Sequence, residues 1–292
     1  MAVRKKKNKF LRKKKRIRRD NKKFIKYERM IERLSIGMIN DLLSQIKSKV
    51  MPKIKGLAKI ENDREKQGAV IKTDSDGMDL HNLIKLIESQ FLGKYSYRYI
   101  EDNLNKIFKG LDEEAEKEAI RELGIQNISL VPTLKTKETI SKAVEDTTSY
   151  IDNLNRSTIE NINQEINKGV IEGVRWETVA ENLIKNIGMS KNRAAFISRN
   201  TVMETLGTLN KERQVSSGVE LYRWQTSNDE RVRDTHVDLD GLVFSWSGTV
   251  EVDGKIYNEA VDPSFSSSGT RPGQPWNCRC VAIPFYPELD EE

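Results

Sequence analysis

Two cysteines and one histidine in the C-terminal third are the residues whose types and spacing best suit metal binding. Cys278 and Cys280 are separated by one residue, and on a β-strand both side chains would point to one face. Two thiolates on one face can share a cation, and His236 adds a third ligand of a kind that zinc prefers. A disulfide between the cysteines is disfavoured, because residues two apart on a strand have Cα atoms about 7 Å apart.

A tetrahedral structural zinc site needs a fourth ligand, and Asp229, Asp238 and Asp240 are the candidates near the histidine. Zinc would tie the loop around the histidine to the last strand of the chain. The alternative is metal-free, with two small buried cysteines and a histidine that is hydrogen-bonded in a turn. Two cysteines and one histidine are one ligand short of a full set, so the metal-free interpretation is preferred and no cofactor is predicted, with a structural zinc ion as the alternative.

Hydrolytic chemistry is the second possibility for the same segment. In a nuclease, His236 would act as general acid or base while Arg231 and Arg233 hold the scissile phosphate and Asp229 orients the histidine. No second histidine stands nearby, and no clustered carboxylates suit a two-metal site. An Asp/Arg network that pins the loop to Trp224 explains the pattern more simply, so no catalytic residue is predicted.

The N-terminal segment has a separate chemistry, that of a polycation. Residues 1–29 carry sixteen Lys and Arg residues and two acids, a formal charge of +14, and the rest of the chain carries −8. Such a basic arm repels itself, so we expect it to be disordered or to become helical on binding. Phosphates that it neutralises would release counterions, which favours nucleic acid as partner over a solubilising role or a contact with the acidic body. The predicted nucleic-acid-binding residues are Lys5, Lys6, Lys7, Arg12, Lys13, Lys14, Lys15, Arg16, Arg18 and Arg19.

The middle of the chain, from about residue 30 to 215, shows helical periodicity with almost no proline. Two apolar stripes recur at spacings of three and four residues. One comprises Ile151, Leu154, Ile159, Ile162, Ile166 and Val170, and the other comprises Trp176, Val179, Ala180, Leu183, Ile184 and Ile187. The second helix is predicted to end at Gly188, with Ser190 capping the next. Narrow stripes on long helices predict an elongated body that a partner protein covers, unless the stripes face each other.

The composition changes after Gly218. Glycine and proline become frequent there, and short runs alternate between apolar and polar residues. Residues 219–226 alternate as a strand. Residues 250–257 predict a hairpin around Asp253-Gly254, a dipeptide that suits a type I′ turn. Residues 278–283 read as a closing strand that the following prolines end. The fold class is therefore mainly α, with a small C-terminal α+β module.

Some protein classes are disfavoured by composition. No apolar run approaches the roughly 18 residues that a membrane-spanning helix needs, and the basic N-terminus is not followed by the apolar stretch of a secretory signal. Two cysteines cannot support a disulfide-dense scaffold. We therefore expect no membrane association.

One ordered set of motifs resembles a known family. Trp224 is followed by Asp229-x-Arg231-x-Arg233, His236, Leu239-x-Gly241, Gly273 and then Asn277-Cys278-Arg279-Cys280. This order resembles the Mu F-like minor head proteins of tailed bacteriophages, also called phage head morphogenesis proteins. The resemblance covers roughly residues 176–286. The family-motif residues in this chain are Trp224, Asp229, Arg231, Arg233, His236, Gly241, Gly273, Cys278, Arg279 and Cys280.

Charge and periodicity predict a basic arm (1–29), a helical body (30–175) and an acidic tail (287–292), and the resemblance adds a Mu F-like module of helices and then short strands (176–286). The resemblance also implies a role. The implied function is that of a minor capsid protein of a tailed phage or prophage, without enzymatic activity. Its implied partners are portal and capsid proteins and packaged DNA, and it would reside in the virion after assembly in the bacterial cytoplasm. A nuclease or toxin-like enzyme is the alternative, and a host nucleic-acid-binding protein unconnected with virions is a third.

Overall fold

The computed structural model describes residues 21–66, 74–125, 130–131, 133–172, 174–227, 229–261 and 270–287. The ten basic residues predicted to bind nucleic acid lie outside these ranges, as do residues 288–292 of the predicted acidic tail. The described chain is mainly helical with a small C-terminal group of strands, which confirms the predicted fold class.

Six long helices build the body. Helix α1 (Ile25–Gln45) follows a 3-10 turn (Asn21–Phe24) and continues through a π-helical turn (Ile46–Val50) into α2 (Met51–Lys66). Then come α3 (Asp74–Lys94), α4 (Tyr97–Ile125) and α5 (Leu134–Asn167), which ends in a second π-helical turn (Lys168–Glu172), and finally α6 (Trp176–Ser216). At 41 residues, α6 has an ideal length of about 60 Å, so the body is long in one direction.

One hydrophobic core joins all six helices, and it contains most of both apolar stripes: Ile151, Leu154, Ile159, Ile162 and Ile166 of the first, and Trp176, Val179, Leu183 and Ile187 of the second. Of the second stripe, Val179 and Leu183 are fully buried, whereas Ile184 at its edge is 43% exposed. The two stripes therefore face neighbouring helices of the same chain. The stripes are covered within the chain, which is the alternative that the sequence left open, so the stripes themselves do not require a partner protein.

Helix α6 does not end at Gly188, so that prediction was wrong. The Ser190 hydroxyl donates back to the carbonyl of Asn186 at 3.2 Å and accepts from Thr158 Oγ1 at 2.9 Å instead of capping a new helix. Packing of α6 against α1 and α5 outweighs the helix cost of one glycine, about 1 kcal/mol. The helix ends at Ser216, and Gly218 with φ +80° follows it, as the sequence predicted.

The last part of the predicted basic arm is helical and anchored to α4. Phe24 is buried in the core, and the Tyr27 hydroxyl donates to the carbonyl of Gly110 at 2.6 Å. Lys23 forms an ion pair with Glu118, a carboxylate on α4. Residues 23–29 therefore belong structurally to the body.

The chain after α6 forms two small sheets. Strands β1 (Leu221–Gln225), β2 (Val243–Ser245) and β5 (Val281–Phe285) form an antiparallel sheet in the order β2-β1-β5, and β3 (Val250–Val252) pairs with β4 (Lys255–Tyr257). A four-residue helical turn, α7 (Asp234–Val237), lies between β1 and β2. Asp253 and Gly254 both have positive φ, at 52° and 76°, as a type I′ turn requires.

The closing strand lies later than predicted. Cys278 and Cys280 precede β5, because Asn277 has a φ of 58° and the Cys278 N–H closes a turn onto the carbonyl of Pro275 at 2.9 Å. Pro284 does not end the strand but pairs with Tyr222 within it. β5 is an edge strand, where proline is tolerated.

Candidate metal centre

Two short, irregular segments bring the histidine and the cysteines together. His236 lies in α7, whose turn closes when the His236 N–H donates to the carbonyl of Arg233 at 2.9 Å. The cysteines lie in the turn before β5, and the Trp224 side chain, fully buried in β1, packs edge-on against the His236 ring at 5.3 Å. The tryptophan of the family motif thus supports the histidine.

The three side chains form a compact cluster, here called the Cys2His cluster. His236 Nδ1 lies 3.6 Å from Cys278 Sγ and 3.4 Å from Cys280 Sγ. One ligand atom from each residue lies within 4.8 Å of the others. All three residues are 2 to 3% exposed, and both cysteines are free thiols.

The cluster stabilises a thiolate. The hydrogen bond from Cys280, with further hydrogen bonds from His236 and the Gly273 N–H, lowers the pKa of Cys278 to about 5 despite burial. Donation to Cys278, together with burial, raises the pKa of Cys280 well above its ordinary value. The cluster therefore favours ionisation of Cys278 over that of Cys280.

None of the predicted fourth ligands belongs to the cluster, since the described residues contain no further His, Cys, Asp or Glu within it. Asp240 instead accepts hydrogen bonds from the backbone N–H of Thr226 at 2.7 Å and from its hydroxyl at 3.1 Å. Asp229 accepts from the backbone N–H of Arg231 at 3.0 Å. These aspartates shape the loop, and the cluster offers three ligands.

Above the cluster lies an open cleft of about 430 Å³, here called the arginine cleft. Its lining includes Arg199, Arg231, Arg233 and Arg279 as well as the three cluster residues. Arg279 lies 3.7 Å from an Asp229 oxygen and Arg233 donates to the backbone carbonyl of Trp276 at 2.6 Å. Four guanidinium groups outnumber the single carboxylate in the lining, so the cleft favours anions.

The C-terminal strands and turns are fixed to α6 by close backbone contact. A Cβ atom on Gly207 of α6 would lie 2.8 Å from the carbonyl oxygen of Pro272, and one on Gly273 would lie 2.9 Å from that of Met203. Gly273 also has a φ of 88°. This position of the family motif requires glycine for two reasons, the backbone conformation and the approach to the helix.

Buried amides strengthen the same interface. Asn210 and Gln214 of α6 both donate to the carbonyl of Ala282 in β5, at 2.7 and 3.0 Å, and Gln214 accepts from the Trp246 indole N–H at 3.1 Å. Arg199 donates to the side chain of Asn277 at 3.0 Å. Helix α6 therefore contributes to the core of the body in both halves, and its second half also carries the strands.

Two further residues of the family motif, Gly241 and Arg231, lie outside the Cys2His cluster. Gly241 has a φ of 81°, and its N–H donates to the carbonyl of Trp224 at 2.8 Å. Arg231 is exposed at the rim of the arginine cleft. Trp276, by contrast, is 66% exposed and packs only its edge on Phe196.

The contacts of α6 with the C-terminal strands and turns were not predicted from the sequence. Asn210 and Gln214 stand four residues apart on the buried face of an amphipathic helix, and two amides among apolar residues signal a polar contact across an interface. Gly207 gave no signal, because a glycine within a helical pattern does not reveal which backbone approaches it.

Comparison with known proteins agrees with this architecture. The profile of the family described as "Phage Mu protein F like protein" matches residues 160–283, a range that contains α6, the Cys2His cluster, strands β1 to β4 and the beginning of β5. Residues 160–283 are therefore similar to the Mu F-like family. An uncharacterized protein of Haemophilus influenzae is 33% identical over 102 residues, which are 35% of this chain but only 19% of that protein. No solved structure matches the chain.

This match agrees with the family resemblance in the sequence. None of the described helices has the length and hydropathy needed to cross a membrane.

Proposed function

We propose that this chain is a minor head protein of a tailed phage or prophage, built into the head near the portal during assembly. The observation that carries the proposal is the Mu F-like domain at residues 160–283. In this fold the domain is not separate, because α6 packs along α1 and α5 as well as against β5. The helical body and the domain would therefore dock as one unit.

The site geometry supports a structural role for His236 over general acid or base chemistry in hydrolysis. The ring nitrogen Nδ1 of His236 faces two sulfur atoms in a buried cluster, and Arg233 and Arg279 are held by groups of the protein. A general base must reach the proton it abstracts in a bound substrate. In this arrangement the histidine orders the C-terminal domain.

A gene-deletion experiment tests the function. In a lysogen that carries the gene, an in-frame deletion should lower the yield of infectious particles after induction, and the wild-type gene supplied in trans should restore it. A variant with two changes at the α6 interface, Asn210→Ala with Gln214→Ala, should restore less, because both donors to Ala282 are lost. A deletion with normal particle yield and infectivity would contradict the proposal.

The predicted arm adds DNA to the proposed partners. Because Phe24 and Tyr27 lie in the helical core, a deletion of residues 1–20 removes twelve basic residues without cutting into it. We expect the full chain to bind duplex DNA with an affinity that falls steeply with salt, and the truncated chain to lose most of that affinity. Equal affinities of the two proteins at low salt would refute the role of the arm.

A further inference from the structure

We propose that His236, Cys278 and Cys280 bind one Zn²⁺ ion, and that the fourth coordination position is open toward the arginine cleft. Imidazole nitrogen and thiolate sulfur are typical zinc ligands. Their convergence in the fold, from segments 42 and 44 residues apart, is the first observation for the site.

The distances fit a tetrahedral ion. With zinc–sulfur bonds of about 2.3 Å and a zinc–nitrogen bond of about 2.0 to 2.1 Å, a tetrahedral angle places nitrogen and sulfur about 3.5 Å apart. The separations from His236 Nδ1 are 3.6 Å to Cys278 Sγ and 3.4 Å to Cys280 Sγ. Both sulfurs face the same nitrogen, so one ion can contact all three atoms without rearrangement of the backbone.

Neighbouring groups supply the outer contacts that zinc sites use. The Gly273 N–H donates to Cys278 Sγ at 3.4 Å, a bond that orients a thiolate and offsets part of its charge. The Trp224 ring packs edge-on against the His236 ring, with 5.3 Å between the ring centroids, which holds the proposed nitrogen ligand in its orientation.

Three protein ligands leave one position for an exchangeable ligand. The cluster residues line the arginine cleft, so that position faces a positively charged space. Water or a small anion would occupy it, as in zinc sites that have three protein ligands. The proposed ion would hold α7 against the turn before β5, at the base of the cleft.

The test uses tag-free full-length protein, because this chain has only two histidines and two cysteines. After incubation with zinc and gel filtration, elemental analysis should give one zinc per chain. With Co²⁺ in its place, we expect a thiolate-to-cobalt charge-transfer band and the visible bands of a tetrahedral ion. Addition of azide should shift the visible bands if the fourth position is open, and unchanged bands would refute the open position.

Variants separate this site from adventitious binding. His236→Asn, Cys278→Ser and Cys280→Ser should each weaken zinc binding at least about 100-fold, beyond the loss typical of an outer-contact change. His81→Asn, which changes the remaining histidine, on α3, should bind zinc like the wild type. Equal loss in His81→Asn would place the ion elsewhere.

Thiol reactivity of the wild-type protein tests the site without any variant, so the test does not depend on whether the variants fold. Zinc should protect both thiols from an aromatic disulfide reagent in native protein, and a chelator should expose them, with a rate increase of at least tenfold. Less than one zinc per ten chains in folded wild-type protein, or thiol reactivity that is the same with and without zinc, would overturn the proposal.

Discussion

Two glycines of the same helix should respond to alanine in opposite directions. At Gly188 a Cβ atom would meet nothing within 4 Å, whereas at Gly207 it would lie 2.8 Å from the Pro272 carbonyl oxygen. Alanine in a helix interior is favoured over glycine by about 1 kcal/mol. Gly188→Ala should therefore stabilise the fold by about that amount.

Gly207→Ala gains the same helix propensity but forces the family-motif loop away from α6. Overpacking of this kind costs about 1 to 3 kcal/mol, and Pro272 supplies a backbone atom, which yields less readily than a flexible side chain. The net change is a loss of up to about 2 kcal/mol, so the two variants should differ by about 1 to 3 kcal/mol.

Urea unfolding measures the difference. Tryptophan fluorescence reports on the C-terminal domain through Trp224 and Trp246, both buried there, and circular dichroism reports on the helices. With similar slopes, a change of midpoint gives the change in stability. If Gly207→Ala stabilises the protein as much as Gly188→Ala does, the close contact between α6 and the loop is refuted.

Three further changes test other contacts, each by urea unfolding. Gln214→Leu removes the acceptor of the buried Trp246 indole N–H and should cost about 1 to 3 kcal/mol; no loss would contradict that hydrogen bond. Asp112→Ala leaves the Arg213 guanidinium, in a residue only 5% exposed, without its carboxylate at 2.5 Å, so we expect a loss of about 2 kcal/mol, less than a fully buried pair would lose. Burial raises the pKa of Glu28 above its ordinary value, so the unfolded chain ionises first as pH rises and the folded state loses stability. Glu28→Gln should therefore be more stable than the wild type near neutral pH but should have no such advantage below about pH 4. If the stability difference between the two proteins is the same at both pH values, the raised pKa of Glu28 is refuted.

The sequence predicted the elements whose signals are local. The hairpin at residues 250–257 followed from Asp253-Gly254, and both residues adopt positive φ. The apolar stripes of α5 and α6 gave the helices, because burial on one face repeats every three to four residues. The resemblance to the Mu F-like family rested on residues that the structure collects in and around one cleft.

Features set by tertiary contact could not be predicted. Gly188 carries a local signal for a helix end, but packing against α5 continues the helix. Cys278 and Cys280 read as strand residues, yet β1 offers no partner before Val281. The approach of Pro272 to α6 joins residues 65 positions apart, and such distances leave no periodic trace in a single sequence.

Quantitative peptide mass spectrometry of purified particles from an induced lysate tests the central claim most directly. The chain would be measured against the portal and major capsid proteins of the same particles. A minor head protein predicts a reproducible copy number close to that of the portal protein and far below that of the major capsid protein. Absence from mature particles, with the protein abundant in the same lysate, would contradict a place in the head.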